Sequence, residues 1–156
     1  MANKQEALAQ LDAGYTQFRA RVQDLPDQAY EEQWLGEWNL SQVLAHMAGW
    51  FREMTGAMKR VGRGERPAPE GVDYSDPQPW NEGFAKEAKP GRQALADWEA
   101  AFIAYRAAAV ELGDDKYGVD PEKGRPLIGN RLLEASGIGH FEEHQGDLDE
   151  WLKSRG

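Results

Sequence analysis

The chain has 156 residues, a formal net charge of -9 and no cysteine. This length suits one domain with one core, so we expect residues 1–156 to form a single domain. The acidic balance leaves no basic excess to neutralise phosphates, which argues against a nucleic-acid partner and against an anionic membrane surface. The lack of cysteine excludes disulfides, thiolate metal sites and cysteine nucleophiles.

The N-terminus opens at Met1 directly into an amphipathic stretch and shows no apolar signal region. No apolar run approaches the ~20 residues that a membrane-spanning helix needs. The sequence therefore predicts a cytoplasmic protein with no membrane partner.

Apolar residues recur at helical spacing in four long segments. The first runs over about residues 4–25 and stops before Pro26, which cannot continue a helix. The second begins after Asn39, with Asn39 or Ser41 as a candidate N-cap, and ends near Gly62.

The third segment follows Pro90 and ends near Gly113, and the fourth covers about residues 127–153. Residues 80–87 predict a short additional helix. Because alternating strand patterns are nearly absent, the predicted fold class is all-α, a single-domain four-helix bundle. The connection over residues 63–79 is long for a bundle turn, so we interpret it as a crossover or as a wall near a site.

The chain has three histidines, and all of them fall on apolar helical stripes. His46 lies on the stripe of the second long helix, whereas His140 and His144 are four residues apart on the fourth and face the same side. Three imidazoles would hold a divalent metal ion such as zinc or nickel and leave one coordination position open. The alternative is that each histidine is partly buried and hydrogen-bonded without a metal.

The segment around the histidine pair carries two acidic residues with candidate roles. Residues 140–144 read H-x-x-E-H, the inverted zincin pattern, but only twelve residues follow His144, too few for that protease fold. Glu143 is a candidate general base beside the histidines, and a solvated helix carboxylate is the alternative. Asp147 is a candidate partner that fixes the tautomer of one imidazole.

Other residues carry weaker signals. The small residues Ser136, Gly137 and Gly139 fit a cavity beside His140, and no hydrolase elbow surrounds Ser136. Some arginines would bind an anionic substrate if they turned inward, and some tryptophans would line a pocket unless they pack in the core. These residues are Arg19, Arg52, Arg106 and Arg131, and Trp50, Trp80 and Trp98.

The run Trp38-Asn39-Leu40-Ser41-Gln42-Val43-Leu44-Ala45-His46-Met47-Ala48-Gly49-Trp50 resembles the helix-two motif of the DinB-like (DinB/YfiT) superfamily. The pair His140-x-x-x-His144 is similar to the helix-four pair of that superfamily, and Trp80-Asn81-Glu82 is similar to its ClbS/DfsB branch. The resemblance implies a four-helix bundle, often a homodimer, in which His46, His140 and His144 hold a divalent metal. Characterised relatives include thiol-dependent transferases and isomerases.

Three functions follow from these expectations. The first is a metal-dependent transferase or hydrolase-like enzyme that uses a metal-activated thiol or water on a small-molecule substrate, with a low-molecular-weight thiol as cosubstrate. The second is a non-catalytic, stress-associated bundle that binds a metal or a small ligand. The third is a metal-free bundle in which the histidines have lost their role.

Overall fold

The computed structural model describes residues 3–34 and 38–155, and within these ranges the chain is helical, as predicted. The only strand-like pairings there are two isolated bridges, Gln33 with Asn39 and Val119 with Pro126. Short 3-10 turns cover Asp27–Glu31 and Asp114–Lys116. The α-helices are α1 (Lys4–Val22), α2 (Leu40–Gly62), α3 (Gln78–Lys86), α4 (Arg92–Glu111), α5 (Ile128–Leu133) and α6 (Gly139–Ser154).

The start of α2 is fixed by a reciprocal capping box. Asn39 Oδ1 accepts a hydrogen bond from the Gln42 backbone N–H at 2.9 Å, and Gln42 Oε1 accepts one from the Asn39 backbone N–H at 2.9 Å. Ser41, the other predicted cap, instead donates its hydroxyl to Glu31 Oε1 at 2.9 Å. Asn39 is therefore the cap that sets the register of the helix carrying His46.

The core lies mainly between α2 and α4, which pack against each other along much of their length. Phe51 of α2 stacks on Tyr105 of α4 with ring centroids 5.1 Å apart. From α1, Tyr15 stacks on Phe102 of α4 at 3.9 Å. The apolar stripe that predicted α2 is buried at every position: Val43, Leu44, Met47, Trp50, Phe51, Met54 and Met58.

The fourth predicted helix is continuous but not uniform. Between α5 and α6 the chain makes a π-helical turn over Glu134–Ile138, immediately before His140. Such a turn inserts one extra residue and changes which side chains share a face, and it occurs often at functional sites. At Gly137 in this turn, an added Cβ would lie 3.0 Å from Tyr105 Oη. The turn thus permits close packing of the last helix on α4.

The long connection between α2 and α3 is held down by hydrogen bonds. Arg60 Nε donates to the carbonyl of Pro67 at 2.7 Å, and Tyr74 Oη donates to Glu53 Oε1 at 2.8 Å. The loop therefore lies along α2 rather than extending away from the bundle. Among the described residues no helix has the length and apolar character to cross a membrane.

Candidate metal centre and its cavity

The three histidines meet in space. His46 comes from α2, whereas His140 and His144 lie one turn apart at the start of α6. One ring nitrogen from each lies within 4.8 Å of the other two. The closest pair is His46 Nε2 and His140 Nε2, at 2.7 Å. The convergence expected from the apolar stripes is thus present in the fold.

The cluster is buried, and burial sets its protonation. His46 and His140 are each 6% exposed. Burial, with a smaller contribution from His144, lowers the pKa of His46 to about 4. Burial also lowers the pKa of His140 well below its ordinary value. It lowers the pKa of His144 as well. At neutral pH all three imidazoles are therefore neutral, which is the form that ligates metals.

Some ring nitrogens of the three histidines lack a well-formed hydrogen bond among the described residues. His46 Nδ1, His140 Nδ1 and His144 Nε2 are buried without a hydrogen-bond partner among them. Each buried unpaired polar atom costs about 1–3 kcal/mol, so three in one cluster are unusual in a stable fold. The convergence itself, with His46 Nε2 and His140 Nε2 2.7 Å apart and a ring nitrogen of His144 close by, fits a divalent transition metal held by neutral imidazoles.

Two polar side chains adjoin the histidines. Asp147 Oδ2 lies 3.6 Å from His144 Nδ1, on the side expected for a partner of that ring. The Asn81 amide, from α3, acts to raise the pKa of His46 against the effect of burial. Asn81 is itself oriented by Trp50, whose Nε1 donates to Asn81 Oδ1 at 2.6 Å.

A cavity of about 640 Å³ opens beside His46 and His140. The connection over residues 63–79 provides one side of it, so the interpretation of that segment as a wall is confirmed. The other sides come from α2, α3, the last helix and its π turn. The described residues that line it are His46, Trp50, Met54, Ala57, Pro67, Ala68, Val72, Asp73, Tyr74, Pro77, Asn81, Leu132, Ala135, Ser136, His140 and Glu143.

The small residues before His140 divide between two uses. Ser136 lines the cavity and is buried, as the sequence suggested. Gly137 and Gly139 do not line it: Gly137 faces Leu11 and Tyr105, and an added Cβ at Gly139 would lie 2.8 Å from the Glu134 carbonyl oxygen. For these two glycines the expectation of a cavity was wrong, because the π turn directs them into helix packing and into its own backbone.

The candidate base Glu143 lies at the cavity with an exposed side chain.

None of the four arginines that the sequence offered for an anionic substrate lines the cavity, so none of them turns inward to bind an anion there. Three of them form ion pairs with acidic residues of other helices: Arg19 with Glu99, Arg52 with Asp97 and Arg106 with Asp12.

The three tryptophans differ in use. Trp50 lines the cavity, Trp80 packs on Trp50 with the ring centroids 5.9 Å apart, and Trp98 is fully buried in the core.

Asn81 lies at the cavity but was not predicted as a site residue. Its only sequence signal was the Trp80-Asn81-Glu82 segment, and its place at the cavity depends on how α3 packs on α2.

Comparisons with known proteins agree with this architecture. A family model described as the DinB superfamily matches residues 10–145, which is most of the chain. No curated protein sequence matches the chain.

Several solved structures are similar in fold. The colibactin self-resistance protein ClbS, in complex with a double-stranded DNA, superposes with a TM-score of 0.82 at 13% identity, covering 98% of this chain and 97% of that one. DfsB, described as a sibling lethal factor precursor, gives 0.79 at 13% identity over 99% and 98% of the two chains. The mycothiol-dependent maleylpyruvate isomerase gives 0.72 at 17% identity, covering 94% of this chain but 61% of that one.

The ClbS structure bears on one sequence-based expectation. A bundle of this fold is seen there with double-stranded DNA. This goes against the expectation of no nucleic-acid partner, because net charge describes the whole surface and not the local patch that would contact a phosphate backbone.

Proposed function

We propose that this chain, which belongs to the DinB superfamily, holds a divalent metal ion through His46, His140 and His144 and acts as an enzyme on a small molecule. The observation that carries the proposal is the cluster of three neutral imidazoles, two of them buried and one half-buried, whose edge opens into a cavity. Nitrogen-only donors favour zinc or nickel over magnesium or calcium.

A divalent ion in this cluster would act as a Lewis acid and would bring the pKa of a bound thiol or water molecule down toward neutral pH. The chain's own residues would do the rest. Glu143 lies at the cavity and offers a carboxylate that accepts a proton from the substrate or cosubstrate. The apolar lining around Trp50 and Leu132 would hold the substrate body and displace water from it.

The proposed cosubstrate is a low-molecular-weight thiol. Support comes from the structural neighbour described as mycothiol-dependent, although this chain spans only 61% of that protein. The proposed classes are therefore a metal-dependent thiol transferase or a hydrolase-like enzyme. We further propose a cytoplasmic homodimer, for which light scattering should give twice the 17.5 kDa chain mass.

The metal proposal is tested on protein purified without a histidine tag. Elemental analysis should find zinc or nickel near one ion per chain, and His46→Ala, His140→Ala and His144→Ala should each reduce it strongly. Glu142→Gln is the matched control, because Glu142 is an exposed neighbour that does not line the cavity. A metal content that stays unchanged in all three histidine variants would contradict the proposal.

The catalytic role of Glu143 is tested once a thermal-shift screen with zinc, nickel and manganese, followed by thiols, has identified a reacting pair. Glu143→Gln should lower kcat by about 10²–10⁴-fold while metal content stays unchanged. Glu142→Gln should leave both kcat and metal content unchanged. An unaltered kcat in Glu143→Gln would remove Glu143 from the mechanism.

The second candidate function is non-catalytic binding of a metal or a small ligand. It is favoured by the exposure of both carboxylates that line the cavity, Asp73 and Glu143, because a tuned general acid or base is usually desolvated. Metal that stabilises the protein, together with a ligand that binds but is recovered unchanged, would support this function over the enzyme.

A further inference from the structure

We infer that the cavity selects amphipathic molecules that are neutral or positively charged, and that it disfavours molecules carrying a carboxylate. This inference names the ligand class of the proposed site. One part of it rests on the proposed function, namely the binding of the ligand's head group at the histidines. The charge preference follows from the other lining residues.

The charged groups that line the cavity are all acidic. Among the described lining residues there is no lysine or arginine, whereas Asp73 comes from the loop and Glu143 from α6. Asp73 Oδ1 accepts a hydrogen bond from the Ser75 backbone N–H at 2.8 Å, which helps to hold the pKa of Asp73 below its ordinary value. Both carboxylates are exposed, so they act on a ligand in the cavity only within about a Debye length, and salt weakens their effect.

One guanidinium adjoins the lining residues without lining the cavity itself. Arg60 donates through Nε to the carbonyl of Pro67 at 2.7 Å. It lies near enough to Tyr74 to act on the pKa of that phenol, but Glu53 accepts the Tyr74 hydroxyl at 2.8 Å and adds a further negative charge at the same place. Beside this wall the carboxylates of Glu53 and Asp73 therefore outnumber the guanidinium of Arg60.

Aromatic faces add a preference for cations. Trp50 and Tyr74 both line the cavity and pack with ring centroids 5.8 Å apart. An ammonium group over such faces is attracted by the ring quadrupoles. Met54, Val72 and Leu132 supply the apolar surface for the body of the ligand.

Asn81 gives the site an oriented donor. An indole N–H can only donate, so the Asn81 atom at 2.6 Å from Trp50 Nε1 is the carbonyl oxygen. The amide Nδ2 is then the end that remains to donate to a ligand oxygen. A hydroxyl, an amide or a ketone near the histidines suits this donor.

The inference is tested with three thiols that share one carbon chain and differ in the terminal group: mercaptohexanol, aminohexanethiol and mercaptohexanoate. Calorimetry on the zinc-loaded protein at low salt should give aminohexanethiol the tightest binding, or binding equal to mercaptohexanol. Mercaptohexanoate should bind about tenfold more weakly or worse, and the gap should narrow as salt screens the carboxylates. A mercaptohexanoate affinity equal to or above that of mercaptohexanol overturns the inference.

Variants identify the source of the preference. The double variant Asp73→Asn/Glu143→Gln should bring the three affinities together, because it removes both lining charges and keeps side-chain size. The control Glu70→Gln/Glu142→Gln changes the net charge equally, at exposed residues of the same loop and helix that do not line the cavity. Equal loss of selectivity in both double variants would assign the effect to net charge and overturn the inference.

A metal-free arm separates this inference from the metal proposal. Hexanol, hexylamine and hexanoate are compared by ligand-detected NMR on the chelated protein, where no thiol and no metal take part. If zinc fails to bind but hexylamine and hexanol saturate ahead of hexanoate, the metal proposal fails and the charge preference stands. If zinc binds and hexanoate saturates as readily as hexanol, the charge preference alone fails.

Discussion

At the scale of single residues, the histidine cluster combines burial with unmet hydrogen-bonding capacity. A histidine kept in a core for packing alone normally finds a carbonyl or a carboxylate for each ring nitrogen. Here His46 Nδ1, His140 Nδ1 and His144 Nε2 have no well-formed hydrogen bond among the described residues, although the Asn81 amide and the Ser136 backbone lie close enough to raise the pKa of His46 and of His140. Asp147 is the carboxylate nearest to fulfilling that role, at 3.6 Å from His144 Nδ1.

We predict that Asp147→Asn weakens zinc binding about 10–100-fold without abolishing it, because a carboxylate beside a ligating imidazole fixes its tautomer and raises its basicity. Competition with a zinc-sensitive chelator measures the affinity. Glu150→Gln is the matched control, since it removes an exposed charge one turn further along α6. Equal affinities in the two variants would contradict the role given to Asp147.

The residues of the candidate site were predictable to different degrees. Each histidine lies on an apolar stripe and so was expected to point inward, which made their convergence plausible, and the resemblance to the DinB-like motifs implied the shared set. Asn81 lies on the short helix α3, whose orientation depends on contacts such as Phe84 against Gly49. No local pattern encodes that contact, so the amide could not be placed from the sequence.

At the scale of elements, the contact between α2 and α3 depends on Gly49. An added Cβ there would overlap the Phe84 ring, which packs directly on the α2 backbone. We predict that Gly49→Ala destabilises the protein by about 1–2 kcal/mol, since the cost of overpacking exceeds the roughly 1 kcal/mol that alanine gains in a helix. Urea denaturation measures the change.

Gly62→Ala is the control for that variant, because an added Cβ at this helix-terminal glycine meets nothing within 4 Å. It should leave stability unchanged or slightly increase it. If Gly49→Ala is as stable as Gly62→Ala, then α3 does not depend on the close approach of Phe84 to α2.

An ion-pair network joins α2 to α4 and predicts a pH effect. Burial raises the pKa of Asp97, but hydrogen bonds and charges from Arg52 and Lys89 outweigh this effect and hold the pKa below its ordinary value. The unfolded chain therefore binds a proton more readily than the folded one. The stabilisation is present above about pH 4 and is lost as the pH falls through the folded pKa.

We predict that Asp97→Asn lowers the free energy of unfolding by about 0.5–1 kcal/mol near neutral pH, and that the difference from wild type disappears in strong acid. Urea melts over a pH series measure both limits. Glu111→Gln, at an exposed position of the same helix, should show no such pH dependence. A constant deficit for Asp97→Asn at every pH would assign the loss to packing and not to charge.

The long helices were predictable because the burial of one face imposes a 3.6-residue period, and α2 obeys it over its whole length. The π turn at Glu134–Ile138 was not, since one extra residue in a turn leaves the flanking apolar periods intact. Within the π turn, Gly137 packs against Leu11 and Tyr105, which are distant in the sequence, so no local pattern marks the turn. Long-range packing, rather than local pattern, decides such features.

At the scale of the whole molecule, the proposed metal would link parts of the chain that are distant in sequence. His46 and His140 are separated by 94 positions, and their helices belong to opposite halves of the chain. An ion that binds only when both helices are in place stabilises the folded state by mass action. The cluster would then contribute to the fold as well as to the cavity.

We therefore predict that chelation lowers the melting temperature of the zinc-loaded protein. At free zinc about 100-fold above its Kd the stabilisation is about 2.7 kcal/mol, which for a chain of this size corresponds to about 5–10 °C. The triple variant His46→Ala/His140→Ala/His144→Ala should melt at one temperature with or without zinc. A triple variant that zinc still stabilises to the same extent would place the ion elsewhere on the molecule.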